Sequence, residues 1–433
     1  MNLELNSAHH NGVIGPAGRE GNSPHVAVLF YRFGPYHHAR LKAAGARMQV
    51  TGVEFSNVDP LYKWDQVEGA DGFRQLTLFS GVSIHSLTAN QILRRVTTTL
   101  DQISPQAVAL PGWSDRCSLA ALWWCLARKI PAIIMSETSA WDFERVWLKE
   151  AMKRRLVKMC GAGLVGGRSH LDYLEKLGLD RSKIFLGYDS VDNGYFSAKA
   201  AEIKNQCPGI RDQYQLPENY FLASSRFVEK KNLLRLIQAY AQYRERIAKA
   251  TDANGPGKAW KLVLLGDGPL QGSICDQIQK LHLTDQVLMH GFKQYGELPA
   301  YYGLANVFIH ASTTEQWGLV VNEAMASGLP VLVSNRCGCA MDLVEPGVTG
   351  YSFDPLNLEQ MTELMLRCSA SPADLATMGK AAAERVAEWG VERFADGLNR
   401  AAVTAMQAPS PRASVLDWLQ INLLLQFKGS ISV

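Results

Sequence analysis

No apolar run in the sequence reaches membrane-spanning length, and no secretory apolar region precedes the first strand-like segment, so neither a spanning helix nor an export signal is expected. Charge excess is also missing: 44 Lys and Arg stand against 41 Asp and Glu, a formal net charge of +3. With no zinc-finger spacing and no RNA-binding signature either, nucleic acid is not an expected partner. The eight cysteines are scattered and form no C-x-x-C. They read as reduced thiols of a cytoplasmic protein, and no cluster of partners makes them a metal site. There is no D-x-D run of the kind that holds a metal-bound phosphate. A complete G-x-G-x-x-G is absent too; GDGPLQGS imitates it only in part, which weakens a dinucleotide-dependent oxidoreductase reading.

At 433 residues the chain is too long for one core of ordinary size, so two domains are expected. The first 23 residues are polar and glycine-rich and read as disordered. Buried-strand runs then begin at HVAVLFY and recur at QAVALPGWS, IPAIIMSE, AGLVGGRS and IFLGYD, with helical patterns between several of them. A second series runs through NYFLASSRF, KLVLLGDG, VLMHGF, VFIHAS and PVLVS. Alternating strands and helices imply an α/β fold of two doubly wound, Rossmann-like domains. The expected divisions are 24–205 and 206–395, with the change near KAAEIKNQCPGI, and a C-terminal segment 396–433. Ligands of such sheets bind beyond the carboxyl ends of the strands, which places the site in the cleft between the domains.

The richest stretch is TTEQWGLVVNEAMASGLPVLVS. It predicts an acidic loop, a helix from about Gly318 to Ser327, and a strand after Gly328 and Pro330. Backbone N–H groups at the start of that helix can receive a phosphate. Glu315 and Glu323 would repel one, but carboxylates accept hydrogen bonds from sugar hydroxyls. A sugar joined to a phosphate satisfies both. The plain alternative is a helix-dipole charge at Glu315 and a solvated Glu323.

This segment resembles the E-x7-E motif of the retaining glycosyltransferases of family 4, which have the GT-B fold. The likeness continues upstream through HGFKQYGELPAYYGLANVFIHAS, KLVLLGDGP and SSRFVEKKNLLRLIQAY, and downstream through RCGCAMDLVEPGVTGYSFDP, over roughly 217 to 390. The N-terminal half is similar only in outline. The resemblance implies a metal-independent enzyme with no cofactor beyond a nucleotide diphosphate sugar as co-substrate, and a saccharide or lipid-linked acceptor.

It assigns Arg226 and Lys231 to the leaving diphosphate and Glu315 to hydroxyls of the transferred sugar, these three being the catalytic candidates. Lys230 is off the family spacing and reads as a solvated lysine. Glu323 would bind the ribose, the Gly318 and Leu319 amides the diphosphate, and Phe292 with Lys293 the nucleobase. Gly34 and Gly266 are glycines of donor-binding loops. Gln316 and Trp317, both counted with the donor-binding loop, depart from the common "EGFGL"; the aromatic kept at Trp317 implies preserved loop packing, and Gln316 adds a polar group beside the sugar. Where many members carry a histidine, this chain has Ser136 and Glu137. Glu137 then becomes an acceptor candidate, or a brace for the following helix. His37 is a second acceptor candidate, with His38 beside it in a segment read as loop.

FERVWLKEAMKRRLVKM, residues 143–159, reads as a basic amphipathic helix, either a peripheral membrane contact or an ordinary solvated face. The tail SVLDWLQINLLLQF suits membrane contact or a return across the first domain. Alternatives to transfer onto a lipid or growing saccharide are a synthase of a small glycoside, and a nucleotide-sugar-binding protein without turnover.

Overall fold

The structure, a computed structural model, describes residues 23–58, 69, 71–205, 209–251, 259–409 and 413–427. The segment expected to be disordered therefore lies, apart from Ser23, outside the described residues. Two parallel sheets organise the rest. The first comprises β1 (His25–Phe30), β2 (Gln49–Ser56), β3 (Arg74–Phe79), β4 (Ala107–Pro111), β5 (Ala132–Ser136), β6 (Ala162–Val165) and β7 (Ile184–Leu186), in the order β3-β2-β1-β4-β5-β6-β7. The second comprises β8 (Tyr220–Ser224), β9 (Lys261–Leu265), β10 (Val287–Gly291), β11 (Val307–His310), β12 (Val331–Ser334) and β13 (Gly350–Phe353), in the order β10-β9-β8-β11-β12-β13.

The strands are continuous apolar runs because helices cover both faces of each sheet. In β1, Ala27 and Leu29 enter one core with Trp124 and Leu156, while Val26, Val28 and Phe30 enter another with Leu41 and Phe394. Strand order reverses between β1 and β4, and again between β8 and β11, which fixes where each sheet opens a crevice.

The chain changes domains earlier than the sequence suggests. KAAEIKN is not punctuation but part of the helix Asn193–Asn205, which buries Phe196 and Ala200 against the second domain's helix Leu298–Leu304. The second unit thus starts near Val191, a member of its core, and not at 206. It also ends earlier. The helix Val391–Gln407 returns to the first sheet and places Phe394, Leu398, Ala401, Ala402 and Ala405 in that core, five residues before the expected boundary at 396. Arg47 fastens it from outside, 2.7 Å from Glu392 and also paired with Asp396. The helix Val415–Gln426 follows on the same domain, burying Ile421, Leu424 and Leu425, with Trp418 edge-on to Trp123.

The basic helix is shorter than 143–159, spanning Trp147–Lys158, and its polar side is less free. Lys153 is buried, 3.0 Å from Glu150, and Arg145 donates to the Tyr173 hydroxyl at 3.0 Å. Arg155 pairs at 2.9 Å with Asp417 of the helix Val415–Gln426. These cations bind the chain to itself, a use invisible in sequence because the partners come from other helices. Arg154 and Lys158 remain exposed. So do Phe143, Val146, Trp147 and Leu148.

Candidate functional site

The cleft candidates sit on loops after the carboxyl ends of strands. Gly34 follows β1 and caps the helix Pro35–Gly45, with Pro35 in its first turn and the His37 Nδ1 accepting from the Gly34 amide at 3.1 Å. That cap corrects the loop reading of RFGPYHH: His37 and His38 are helical, His38 is buried, and burial pulls His37 down to about 3, so it is neutral near pH 7. Tyr36, in the same turn, reaches across the cleft.

Its target is Glu323. The helix Leu319–Ala326 begins at Gly318, whose φ of 101° is left-handed, and Glu323 projects from it fully buried. The Tyr302 hydroxyl donates to Oε2 at 2.7 Å and the Tyr36 hydroxyl to Oε1. Burial raises this carboxyl to about 7 against the lowering effect of both hydrogen bonds. Glu323 is not a solvated helix residue but a pocketed carboxylate.

Glu315 behaves in the opposite way. Its burial also favours the neutral form, but a hydrogen bond from His310 and the charges of Lys231 and Lys230 outweigh that and hold it well below the usual carboxylate range. Lys231 is in direct contact, Lys230 at 3.8 Å, His310 Nε2 at 3.4 Å and Ser312 Oγ at 3.4 Å. The loop is pinned by Glu315 N donating to Arg336 O at 3.1 Å and by Gly338 N donating to Glu315 O at 3.0 Å. Lys230 thus belongs to the cluster, although the sequence spacing favours Lys231. Arg226, on the loop after β8, is exposed.

Gly266 follows β9 with a φ of 128°, and a Cβ there would stand 1.8 Å from the Ser225 carbonyl oxygen. Only glycine lets the two loops that flank Arg226 approach so closely. Phe292 and Lys293 follow β10 and are half-buried; Lys293 Nζ lies 5.4 Å above the Tyr301 ring and 3.5 Å from Glu297.

Trp317 does not face the cleft, as its inclusion among the donor-binding candidates requires. Its ring is buried against Trp389, with centroids 5.2 Å apart, and its Nε1 donates to Asn322 at 2.9 Å. The indole packs the loop. Gln316 presents its carbonyl to the His170 Nε2 of the first domain at 2.9 Å. The Gly167 amide donates to His170 Nδ1 at 3.0 Å, so the neutral ring carries its proton on Nε2 and donates across the domains. Arg168, also in the first domain, pairs with Asp342 at 2.7 Å.

Opposite Gln316, a recess of about 120 Å³ is lined by Trp113, Ser136, Glu137 and Tyr188. Glu137 shares a hydrogen bond with Asp189, which follows β7 and is buried; the Arg40 guanidinium acts on both carboxyls. Sequence reasoning missed Tyr36, Tyr302, His310, Arg40 and Asp189. The one available signal was Asp189 directly after a strand-like run in IFLGYD. Among the described residues no three His, Cys, Asp or Glu side chains gather as a metal site, and no helix is long and apolar enough to cross a membrane.

Residues 210–385 match the family model described as glycosyl transferases group 1. The chain is similar to the alpha-monoglucosyldiacylglycerol synthase of Acholeplasma laidlawii, 25% identical over 185 residues, covering 42% of this chain and 43% of that one. It is 29% identical over 165 residues to the N-acetyl-alpha-D-glucosaminyl L-malate synthase of Bacillus anthracis, covering 38% of each. The chain therefore spans less than half the length of these curated relatives. Among solved structures, Anabaena HepE in complex with UDP and glucose superposes with a TM-score of 0.64 at 16% identity, over 87% of this chain and 98% of that one. That likeness is one of fold.

Proposed function

We propose, from the match of residues 210–385 to the model of the glycosyl transferases group 1, that the chain moves a sugar from a nucleotide diphosphate sugar to a hydroxyl acceptor, with retention of configuration. The observation that supports this reading is that Lys231 contacts Glu315 on the loop before the helix Leu319–Ala326, which carries Glu323, while Gln316, next to Glu315, lines a recess with Glu137 of the first domain. Cations and helix amides suit the diphosphate, Glu315 the sugar hydroxyls and Glu323 the ribose. As the bond between the anomeric carbon and the diphosphate breaks, its electron pair leaves with the phosphate. The acceptor oxygen bonds to the same face, and its proton passes to a diphosphate oxygen. No metal is required in this scheme, since Arg226 and Lys231 supply the positive charge. The seven cysteines among the described residues are free and mostly buried, which fits a reducing compartment such as the cytoplasm.

A panel of UDP-, GDP- and ADP-sugars tests the reading by thermal stabilisation followed by product analysis. At least one donor is expected to raise Tm and to be transferred or slowly hydrolysed; stabilisation without any turnover would leave a binding protein. Proton NMR of the first-formed product is expected to show the donor's anomeric configuration, and an inverted product would remove retention.

A lipid-linked acceptor draws support from the exposed Phe143, Val146, Trp147 and Leu148 beside the exposed Arg154 and Lys158. Co-sedimentation with anionic vesicles is expected and should weaken with salt, since each basic residue near such a surface contributes about 1 kcal/mol. Arg154→Gln with Lys158→Gln should release the protein without touching Lys153, whose burial makes it structural. Equal sedimentation with neutral and anionic vesicles, or none, would favour a soluble acceptor and the small-glycoside synthase.

A further inference from the structure

The carboxylate assigned above to the ribose is occupied before any nucleotide arrives. Glu323 is fully buried, with Oε2 taken by the Tyr302 hydroxyl at 2.7 Å and Oε1 by the Tyr36 hydroxyl. The two donors differ in what holds them. Tyr302, on the helix Leu298–Leu304, is 0% exposed and lies inside the second domain's core, its ring against Phe308. Tyr36 comes from the other domain, in the first turn of the helix Pro35–Gly45, and is half-buried. It rests on the second domain's core from outside, edge-on to Tyr295 with ring centroids 5.6 Å apart, and Tyr295 in turn stacks on Tyr195 at 5.0 Å. One tyrosine is enclosed on all sides and the other sits at the rim, so only the Tyr36 side of Glu323 opens toward the cleft.

We propose that Tyr36 is a displaceable cap, whose hydroxyl stands in for a ribose hydroxyl on Glu323 in the unliganded protein and gives way to it when a nucleoside diphosphate binds. The exchange is even in hydrogen bonds: Glu323 loses the one from Tyr36 and gains one from the ribose, while the Tyr302 bond is kept throughout. A rotation of the Tyr36 side chain suffices, because Arg168 with Asp342 and His170 with the Gln316 carbonyl hold the domains together independently of it. The freed phenol passes to water at the cleft edge. Until it does, the ribose position is filled, so apparent Kd is weakened by the small fraction of molecules in which the cap is away. A ligand lacking the ribose hydroxyls would leave an oxygen of this buried carboxylate unmatched, and so could not displace the cap without loss.

This inference rests on the assignment of Glu323 to the ribose, and the test separates the two. Kd for UDP, GDP and ADP is measured by titration calorimetry at pH 8 for wild type, Tyr36→Phe, Tyr302→Phe and Glu323→Gln, with urea midpoints to check that each is folded. Tyr36→Phe keeps the ring on Tyr295 and removes only the competing hydroxyl, so it is expected to bind the nucleotide about three- to tenfold tighter than wild type. Tyr302→Phe removes a bond present in both free and bound states and is expected to bind no tighter. Unchanged affinity in Tyr36→Phe would mean that its hydroxyl is not displaced, and weaker binding that it contacts the nucleotide directly; either overturns the cap. Equal tightening in Tyr302→Phe would overturn it too, since loosening Glu323 by any route would then suffice. Glu323→Gln binding as well as wild type, or a wild type that binds none of the three nucleotides, would instead remove the ribose assignment beneath the proposal.

Discussion

Arg226→Ala and Lys231→Ala are each expected to lower kcat for sugar transfer by about 10²- to 10³-fold, the loss of about 2.7–4 kcal/mol that follows removal of one preorganised group from a developing anion. Lys231 stands on a turn fixed from both sides: its amide donates to the Val228 carbonyl at 3.0 Å, and Thr313 N donates to Lys230 O at 2.8 Å. The turn is therefore tied to the Glu315 loop before any donor arrives. Without a ligand the Lys231 ammonium is matched by Glu315; a diphosphate sugar supplies both with new partners, phosphate for the lysine and hydroxyls for the carboxylate. Arg226 is exposed, so its alanine variant should keep wild-type stability to within about 0.5 kcal/mol. Lys231→Ala uncovers Glu315 and should also lower stability, while Lys231→Arg retains the charge. Single-turnover rates and urea midpoints separate the two effects, and near-normal turnover in Arg226→Ala would sink the assignment.

The second large effect concerns Glu323. In its proposed role Glu323 accepts from a ribose hydroxyl as a carboxylate, yet burial in the free protein pushes the group up to about 7. Nucleotide affinity in the wild type should therefore rise about tenfold from pH 6 to pH 8, in step with the ionised fraction. Glu323→Gln should be about tenfold weaker at pH 8 and flat across that range. Stability of the free protein has the reverse slope. Burial raises the folded carboxyl above its ordinary value of 4.5, so the contribution is complete below about 4.5 and is lost as pH rises through about 7. Titration calorimetry across pH reads the first slope and thermal melts the second; a wild-type binding profile as flat as that of Glu323→Gln would exclude Glu323 from the nucleotide contact.

Glu315, Gly318 and Glu323 could be read from sequence because one loop and one helix carry all three, and the helix Leu319–Ala326 forms inside the Gly318–Ser327 span that apolar spacing predicts. The same reading could not see Tyr36 meeting Tyr302 on Glu323, since the two tyrosines come from different domains. Nor could it see that Asp189 reaches Glu137 across the sheet. His37 and His38 were misplaced for a local reason: Pro35 as a first helical residue starts the helix earlier than the apolar pattern does. The basic side of 143–159 could be read as a free face because the sequence shows its cations and not partners such as the Glu150 and Tyr173 that enclose Lys153. That an aromatic at 317 packs the loop could be read from the sequence, but not its partner Trp389, which lies far along the chain and turns it away from the cleft.

The return of the last helices to the first sheet also reverses the usual order of synthesis and folding. Domains emerging from a ribosome generally fold N-terminal first. Here the first sheet lacks Phe394, Leu398 and Ala401 on one face and Ile421 and Leu424 on the other until the second domain, continuous from about 191 to 390, has been translated, so both of its faces stay partly uncovered while that domain can already close. A nascent chain halted at 390 is then expected to carry a closed second domain beside an incompletely covered first sheet, which the helices Val391–Gln407 and Val415–Gln426 complete afterwards.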